Sequence, residues 1–167
     1  MGINLRGNIQ SGDLLVWDGA SAVGKSDTML RLVRLFTLSN FGHLSVAWRK
    51  DGVLKHVEAT EPSVRVSVVP DDVGFYHIPM GLNLIDEDML KFYADKLGLP
   101  YSVIDAIRGY LGITLDENDD KWQCVELCNY FYQSIGLEFG NVWTPTKFVK
   151  AMMEETGSPL FRITPKN

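Results

Sequence analysis

The sequence has little of several features that define whole classes of protein. Its 167 residues include two cysteines, Cys124 and Cys128, which are too few for a disulfide framework. The net charge of −5 argues against a broad nucleic-acid surface, because such surfaces need clustered Lys and Arg. No apolar run reaches the 18 residues of a transmembrane helix, and the N-terminus lacks the apolar core of a signal peptide. We therefore expect a cytoplasmic protein with no transmembrane segment and no nucleic-acid partner.

What is present is typical of one globular domain over residues 1–167. Hydrophobic residues make up 46% of the chain and charged residues 22%, and this length can bury a sizeable core. Strand-like alternation dominates the first half and helical spacing the second, which predicts an α+β fold. The predicted strands cover 13–17, 43–48, 53–59, 64–69, 73–78 and 160–163, and the predicted helices cover 26–38, 86–97, 101–111, 119–135 and 145–153.

The Asp51-Gly52 pair predicts a tight hairpin between two of these strands. A two-residue loop pairs Lys50 with Val53 and, counting outward, Ser45 with Glu58. Because side chains two apart share a face, His43 then lies diagonal to Glu58. A bulged three-residue loop would shift this register. The shared polar face comprises His43, Ser45, Ala47, His56, Glu58 and Thr60.

A histidine beside a carboxylate on one face is what a general base with an orienting acid requires. His43 with Glu58 is the predicted pair, and His56 on the same face is the rival histidine. The alternative is a sheet face whose polar side chains are merely solvated.

Cys124 lies near the start of the predicted 119–135 helix, where Asp120 and Gln123 resemble a capping box. Amides at a helix N-terminus favour a thiolate, so Cys124 is the candidate nucleophile. Cys128 falls on the apolar stripe and is predicted to be a core thiol. The C-x-x-x-C spacing is not that of a zinc site, so we predict neither metal nor cofactor. The alternative for Cys124 is a small hydrophobic residue at a helix start.

Six short segments, taken together and in this order, resemble the circularly permuted branch of the NlpC-type papain-like superfamily. That branch includes bacterial and phage cysteine hydrolases and relatives of lecithin–retinol acyltransferase. One departure is Val125, where many relatives have Ser after the Cys. The segments are SGDLLVW (11–17), TLSNFGHLSVAW (37–48), HVEAT (56–60), LGLPYS (97–102), WQCVELCNYF (122–131) and VWTPTKF (142–148).

This resemblance implies a permuted papain-like fold, with an antiparallel sheet from the first half packed against helices from the second. It implies Cys124 as nucleophile, His43 as base and Glu58 as orienting acid, in a cysteine hydrolase or acyltransferase that acts through a thioacyl-enzyme. The implied substrates are peptides, amides or esters, among them peptidoglycan peptides and lipids, and a bacteriophage virion becomes a second location. The backbone N–H of Cys124 would donate to an oxyanion hole, and the sequence does not identify its second donor. Candidates for the wall of the site are Tyr101, Trp122 and Gln123.

Two alternatives from other functional classes remain. The segment Gly19–Ser26 matches G-x-x-x-x-G-K-[ST], in which Lys25 would contact the outer phosphates of a nucleotide and Ser26 a magnesium ion. The antiparallel hairpin downstream disfavours this P-loop, because P-loop sheets alternate parallel strands with helices. The other alternative is a catalytically idle structural module of a virion. The oligomeric state stays open.

Overall fold

The predicted order of strands followed by helices is confirmed by a computed structural model, which describes residues 5–18, 40–82, 84–103, 108, 120–140, 142 and 144–165. The candidate P-loop and most of the predicted 26–38 and 101–111 helices lie outside these ranges. Within them, no helix combines the length and apolar character needed to cross a membrane. After a 3-10 turn, Leu5–Asn8, the elements are β1 (Leu14–Asp18), β2 (Phe41–Lys50), β3 (Val53–Thr60), β4 (Ser63–Val68), β5 (Phe75–Ile78), α1 (Asp86–Tyr93), α2 (Cys124–Ser134), α3 (Pro145–Thr156) and β6 (Phe161–Ile163).

The six strands form one sheet in the order β4-β3-β2-β1-β5-β6, and every neighbouring pair is antiparallel. Asp51 and Gly52 both have positive φ, 52° and 74°, as a two-residue type I′ turn requires. Lys50 pairs with Val53 and Ala47 with His56. The hairpin register predicted from the sequence is therefore confirmed.

Alternation along the strands divides the sheet into two faces. Leu44 and Val46 of β2 and Val57 of β3 lie in the larger hydrophobic core, which the helices α2 and α3 complete. The other face carries a smaller apolar cluster around Trp17 together with the polar side chains of β2 and β3. The smaller cluster comprises Ile9, Leu15, Trp17, Ala47, Val69, Phe75 and Ile163.

Helix α2 begins at Cys124, five residues later than the sequence pattern predicts. The N–H of Trp122 donates to the carbonyl of Pro100 at 2.9 Å, which holds the preceding backbone extended. The capping box is Gln123 with Glu126 rather than Asp120 with Gln123. Gln123 Oε1 accepts from the Val125 N–H at 3.2 Å, and Glu126 Oε2 accepts from the Gln123 N–H at 3.3 Å. Cys124 is therefore the first residue of the helix.

Candidate active site

The three residues singled out as catalytic meet where the start of α2 packs against β2 and β3. Cys124 opens the helix, His43 lies on β2 and Glu58 lies on β3. His43 Nε2 is 2.8 Å from Glu58 Oε2, and the imidazole also hydrogen-bonds with the Cys124 side chain. Because Nε2 is engaged with the carboxylate, Nδ1 is the ring nitrogen left for the thiol. One imidazole thus bridges a cysteine and a carboxylate.

The Glu58 carboxylate is held from its other side by β4. Its Oε1 accepts from Arg65 Nε at 3.0 Å and from Ser67 Oγ at 2.9 Å. Arg65 lies opposite Glu58 in the β3–β4 register. Sequence reasoning missed both partners, although counting outward from the Glu61-Pro62 turn places Arg65 there. The three bonds fix the orientation of Glu58, and through it that of His43.

At both His43 and Glu58, burial and the neighbouring groups shift the side-chain pKa in opposite directions. Burial alone would raise the pKa of Glu58, but its hydrogen bonds and the positive charges around it outweigh burial and hold that pKa well below its usual range. Burial alone would lower the pKa of His43, but hydrogen bonds with Cys124 and Glu58 outweigh it and raise the pKa to about 10. At neutral pH the carboxylate is therefore ionised and the imidazole protonated.

The rival histidine, His56, is buried behind this pair. Its Nδ1 is 2.9 Å from Ser45 Oγ, and its ring centroid is 5.0 Å from that of Trp17. His56 Nε2 is 3.9 Å from Glu58 Oε1, which is within ion-pair distance. Burial, however, lowers the pKa of His56 to about 4, so the ring is neutral at neutral pH and this contact is not an ion pair.

The neutral, buried His56 should make the protein less stable on acidification. In the unfolded chain the ring titrates near pH 6.5, and in the folded protein it titrates near 4. Between these values the unfolded state binds more protons, so stability is lost as the pH falls, by about 3 kcal/mol over the whole window. Urea unfolding at pH 6.5, 5 and 4 measures this loss.

The matched variant is His56→Gln, which keeps hydrogen-bonding groups but does not titrate in this range. Its free energy of unfolding should fall less steeply with acid than that of the wild type. The same slope in both proteins would contradict a neutral, buried His56.

Cys128 lies one turn further along α2 and is fully buried in the larger core. Burial raises the pKa of its thiol well above the ordinary value, and a negative charge on Cys124 would raise it further. At neutral pH Cys128 is therefore a neutral thiol without contact with solvent, which agrees with its predicted place in the core.

A second buried histidine–carboxylate pair lies elsewhere in the sheet. His77 Nε2 of β5 is 2.8 Å from Asp13 Oδ2. Asp13 also accepts from the backbone N–H of Gln10 and of Met80, both at 2.8 Å. These bonds tie the turn before β1 to the segment after β5, which is a structural role.

The fold and the site together define an α+β protein with a Cys–His–Glu set in which Cys124 and Glu58 are buried and His43 is partly exposed. No family model matches the chain, and no curated protein matches it. A solved structure that it resembles is that of the metalloprotein yiiX from Escherichia coli O157:H7, described as DUF1105. The TM-score is 0.57 at 17% identity, and the match covers 95% of this chain and 98% of that one. At this identity the likeness shows a shared fold alone.

This comparison corrects the family expected from the sequence. The structural neighbour belongs to DUF1105, a family different from the NlpC-type papain-like one, and no family model supports the latter assignment. The six matching segments were short, and motifs of a few residues recur by chance more often than whole folds do. The assignment to the NlpC-type superfamily was therefore wrong.

The neighbour's description as a metalloprotein raises the question of whether this chain could hold a metal ion. Among the residues that the structure describes, no group of three or more His, Cys, Asp or Glu side chains is arranged to do so. A protein metal site commonly needs three or four such ligands. The described residues therefore do not fit a metal centre.

Proposed function

We propose that this protein is a thiol-dependent hydrolase or acyltransferase that attacks an amide or ester carbonyl with Cys124. The observation that carries the proposal is the position of His43, whose imidazole contacts both the Cys124 side chain and the Glu58 carboxylate. A nucleophile beside a base that a third group orients is the arrangement shared by cysteine and serine acyl-transfer enzymes.

The reaction follows from the protonation of these groups. His43 takes the Cys124 proton, and its raised pKa supports an imidazolium beside a thiolate. The thiolate adds to the carbonyl carbon, and the imidazolium then gives its proton to the departing amine or alcohol as the old bond breaks. A thioacyl-enzyme remains. Water, or an acceptor alcohol or amine, loses a proton to His43, attacks the thioester and releases Cys124. Glu58 orients the ring and stabilises its charge throughout.

The proposal also covers the class of substrate and the location of the protein. Peptides, simple amides and esters, including cell-wall peptides and lipids, all present the carbonyl that this chemistry requires. Residence in the cytoplasm or in a phage particle stays a prediction. The order of His43 before Cys124 along the chain suits a permuted papain-like arrangement, and we propose that arrangement for the fold of this protein.

The nucleotide-binding alternative gains no support from the described strands. The Gly19–Ser26 motif directly follows β1, and β1 is antiparallel to both of its neighbours, β2 and β5. P-loop motifs normally follow a strand of a parallel sheet. The motif itself lies outside the described residues.

Thiol labelling at pH 6 tests the proposal without knowledge of the substrate. A free cysteine is almost entirely protonated at this pH, whereas a thiolate paired with an imidazolium reacts. Iodoacetamide should therefore label Cys124 at least about tenfold faster than unfolded protein, and Cys128 should stay unlabelled. Mass spectrometry locates the label.

The comparison variant is His43→Ala, in which labelling of Cys124 at pH 6 should slow by about tenfold or more. Slow labelling of both cysteines in the wild type, unchanged in His43→Ala, would show that Cys124 is not activated. The enzyme proposal would then be wrong.

A further inference from the structure

Arg65 of β4 is held beside the candidate site by only one of its nitrogen atoms. Its Nε donates to Glu58 Oε1 at 3.0 Å, which is its one side-chain hydrogen bond within the described part of the chain. The other oxygen of Glu58, Oε2, is engaged with His43, so the carboxylate cannot bind the guanidinium with both oxygens. The N–H groups on the two η nitrogens of Arg65 therefore have no partner among the described residues.

The outer end of this guanidinium reaches solvent. The side chain of Arg65 is 50% exposed, whereas that of Glu58, to which it is bonded, is 8% exposed. Because Nε is fixed against a buried carboxylate, the η nitrogens form the part of the charged group that a ligand can approach. A side chain that is already held in place also loses less rotamer freedom when it binds a ligand.

Arg65 lies on the same face of the sheet as the reacting groups and within reach of them. It stands directly opposite Glu58 in the β3–β4 register, and the two bonds of Glu58 place Arg65 Nε within about 8 Å of His43 Nε2. His43 is 17% exposed and contacts the Cys124 side chain. A group bound at the outer end of Arg65 is thus about 10 Å from the imidazole, which is about three residues of extended chain.

We propose that Arg65 binds an anionic group of the substrate, a carboxylate or a phosphate, at that distance from the carbonyl that Cys124 attacks. The inference rests on the function proposed above and narrows its substrates to acyl compounds that carry a negative charge. The paired N–H groups of a guanidinium match two oxygens of a carboxylate or phosphate, which gives such a contact both strength and orientation. Arg65 is thereby a specificity-determining residue.

The test compares two p-nitrophenyl esters of suberic acid, one with a free carboxylate at its far end and one with that end methylated and neutral. Acylation of Cys124, measured by nitrophenolate release, should be about fivefold faster with the anionic ester in the wild type. In Arg65→Gln this ratio should fall to about one. Any disturbance of Glu58 slows both esters alike and cancels in the ratio. Arg65→Lys keeps the charge but not the paired N–H groups, so its ratio should be about two.

A third ester, with a terminal phosphate in place of the carboxylate, distinguishes the two anions: the one with the larger ratio that depends on Arg65 is the group this residue binds. The control variant is Arg162→Gln, which removes the same charge from β6 at the opposite edge of the sheet and should keep the wild-type ratio.

Three results would overturn the role of Arg65 while leaving the proposed function in place. They are equal acylation of wild-type Cys124 by charged and neutral esters, a preference that persists in Arg65→Gln, and an equal loss of preference in Arg162→Gln. Failure of every ester to acylate Cys124 in the wild type would instead overturn the proposed function and this inference with it.

Discussion

The Cys124→Ala variant is expected to lose acylation and hydrolysis of p-nitrophenyl acetate by at least about 10³-fold, down to the background rate. No other described side chain is placed to replace the sulfur beside His43, because the Cys128 thiol is fully buried and held neutral. Removal of the single sulfur of Cys124, a residue that is 6% exposed, should change the free energy of unfolding by about 1 kcal/mol or less. Nitrophenolate release and thermal unfolding measure the two quantities on one preparation.

Cys128→Ala is the matched control, since it makes the same chemical change four residues away on the same helix. Its side chain is wholly enclosed by the larger core, so we expect a cost of about 1–2 kcal/mol in stability and a rate within about twofold of wild type. The opposite pattern, an inactive Cys128→Ala beside an active Cys124→Ala, would mean that the two thiols have exchanged roles.

Part of the site could be predicted from the sequence because residue pairs in a hairpin can be counted outward from the turn. Asp51-Gly52 specifies a two-residue turn, the turn sets the register, and a period of two places His43 diagonal to Glu58. The contact between their side chains, at 2.8 Å, follows from that local geometry. The catalytic role of the pair is a different matter and stays a prediction.

The contact between His43 and Cys124 could not be derived in the same way. The two residues are far apart in the chain, and how α2 docks on the sheet depends on the packing of the whole core. Counting residues along a strand or a helix does not predict how the helix docks on the sheet. Only the family resemblance predicted a contact between His43 and Cys124. That family assignment was wrong, even though the two residues do meet.

The start of α2 was misplaced because two capping patterns overlap. Asp120, a common type of N-cap residue, has Gln123 three positions later, whereas the box that forms is Gln123 with Glu126 at the same spacing. Tertiary hydrogen bonds decided between them: the backbone around Trp122 pairs with Pro100 and Ser102 and cannot be helical. The correct start places Cys124 in the first turn of α2.

The hydrogen bonds of Glu58 suggest that this residue controls the protonation of His43. The residue is 6% exposed and its carboxylate accepts bonds from Arg65 and Ser67, so it cannot easily turn away from the imidazole. Burial lowers the pKa of His43, whereas the hydrogen bonds and negative charges of Cys124 and of Glu58 raise it. A neutral side chain of the same shape would keep most of the packing but remove the charge.

Glu58→Gln is accordingly expected to lower the pKa of His43 from about 10 and to slow acylation of Cys124 by p-nitrophenyl acetate about 10²-fold. The sign follows from the charge: the imidazolium loses its carboxylate partner, so it gives up its proton at a lower pH than in the wild type. An NMR titration of the His43 ring reads the pKa without any substrate, and nitrophenolate release reads the rate.

Glu61→Gln makes the same substitution on the exposed turn between β3 and β4 and should leave both quantities unchanged. If Glu58→Gln kept the wild-type pKa of His43 while acylation slowed, the carboxylate would act by orienting the ring rather than through its charge. If both the pKa and the rate were unchanged, Glu58 would have no part in the site. A joint fall in both is the outcome that identifies the carboxylate as one of the groups that keep His43 protonated beside Cys124.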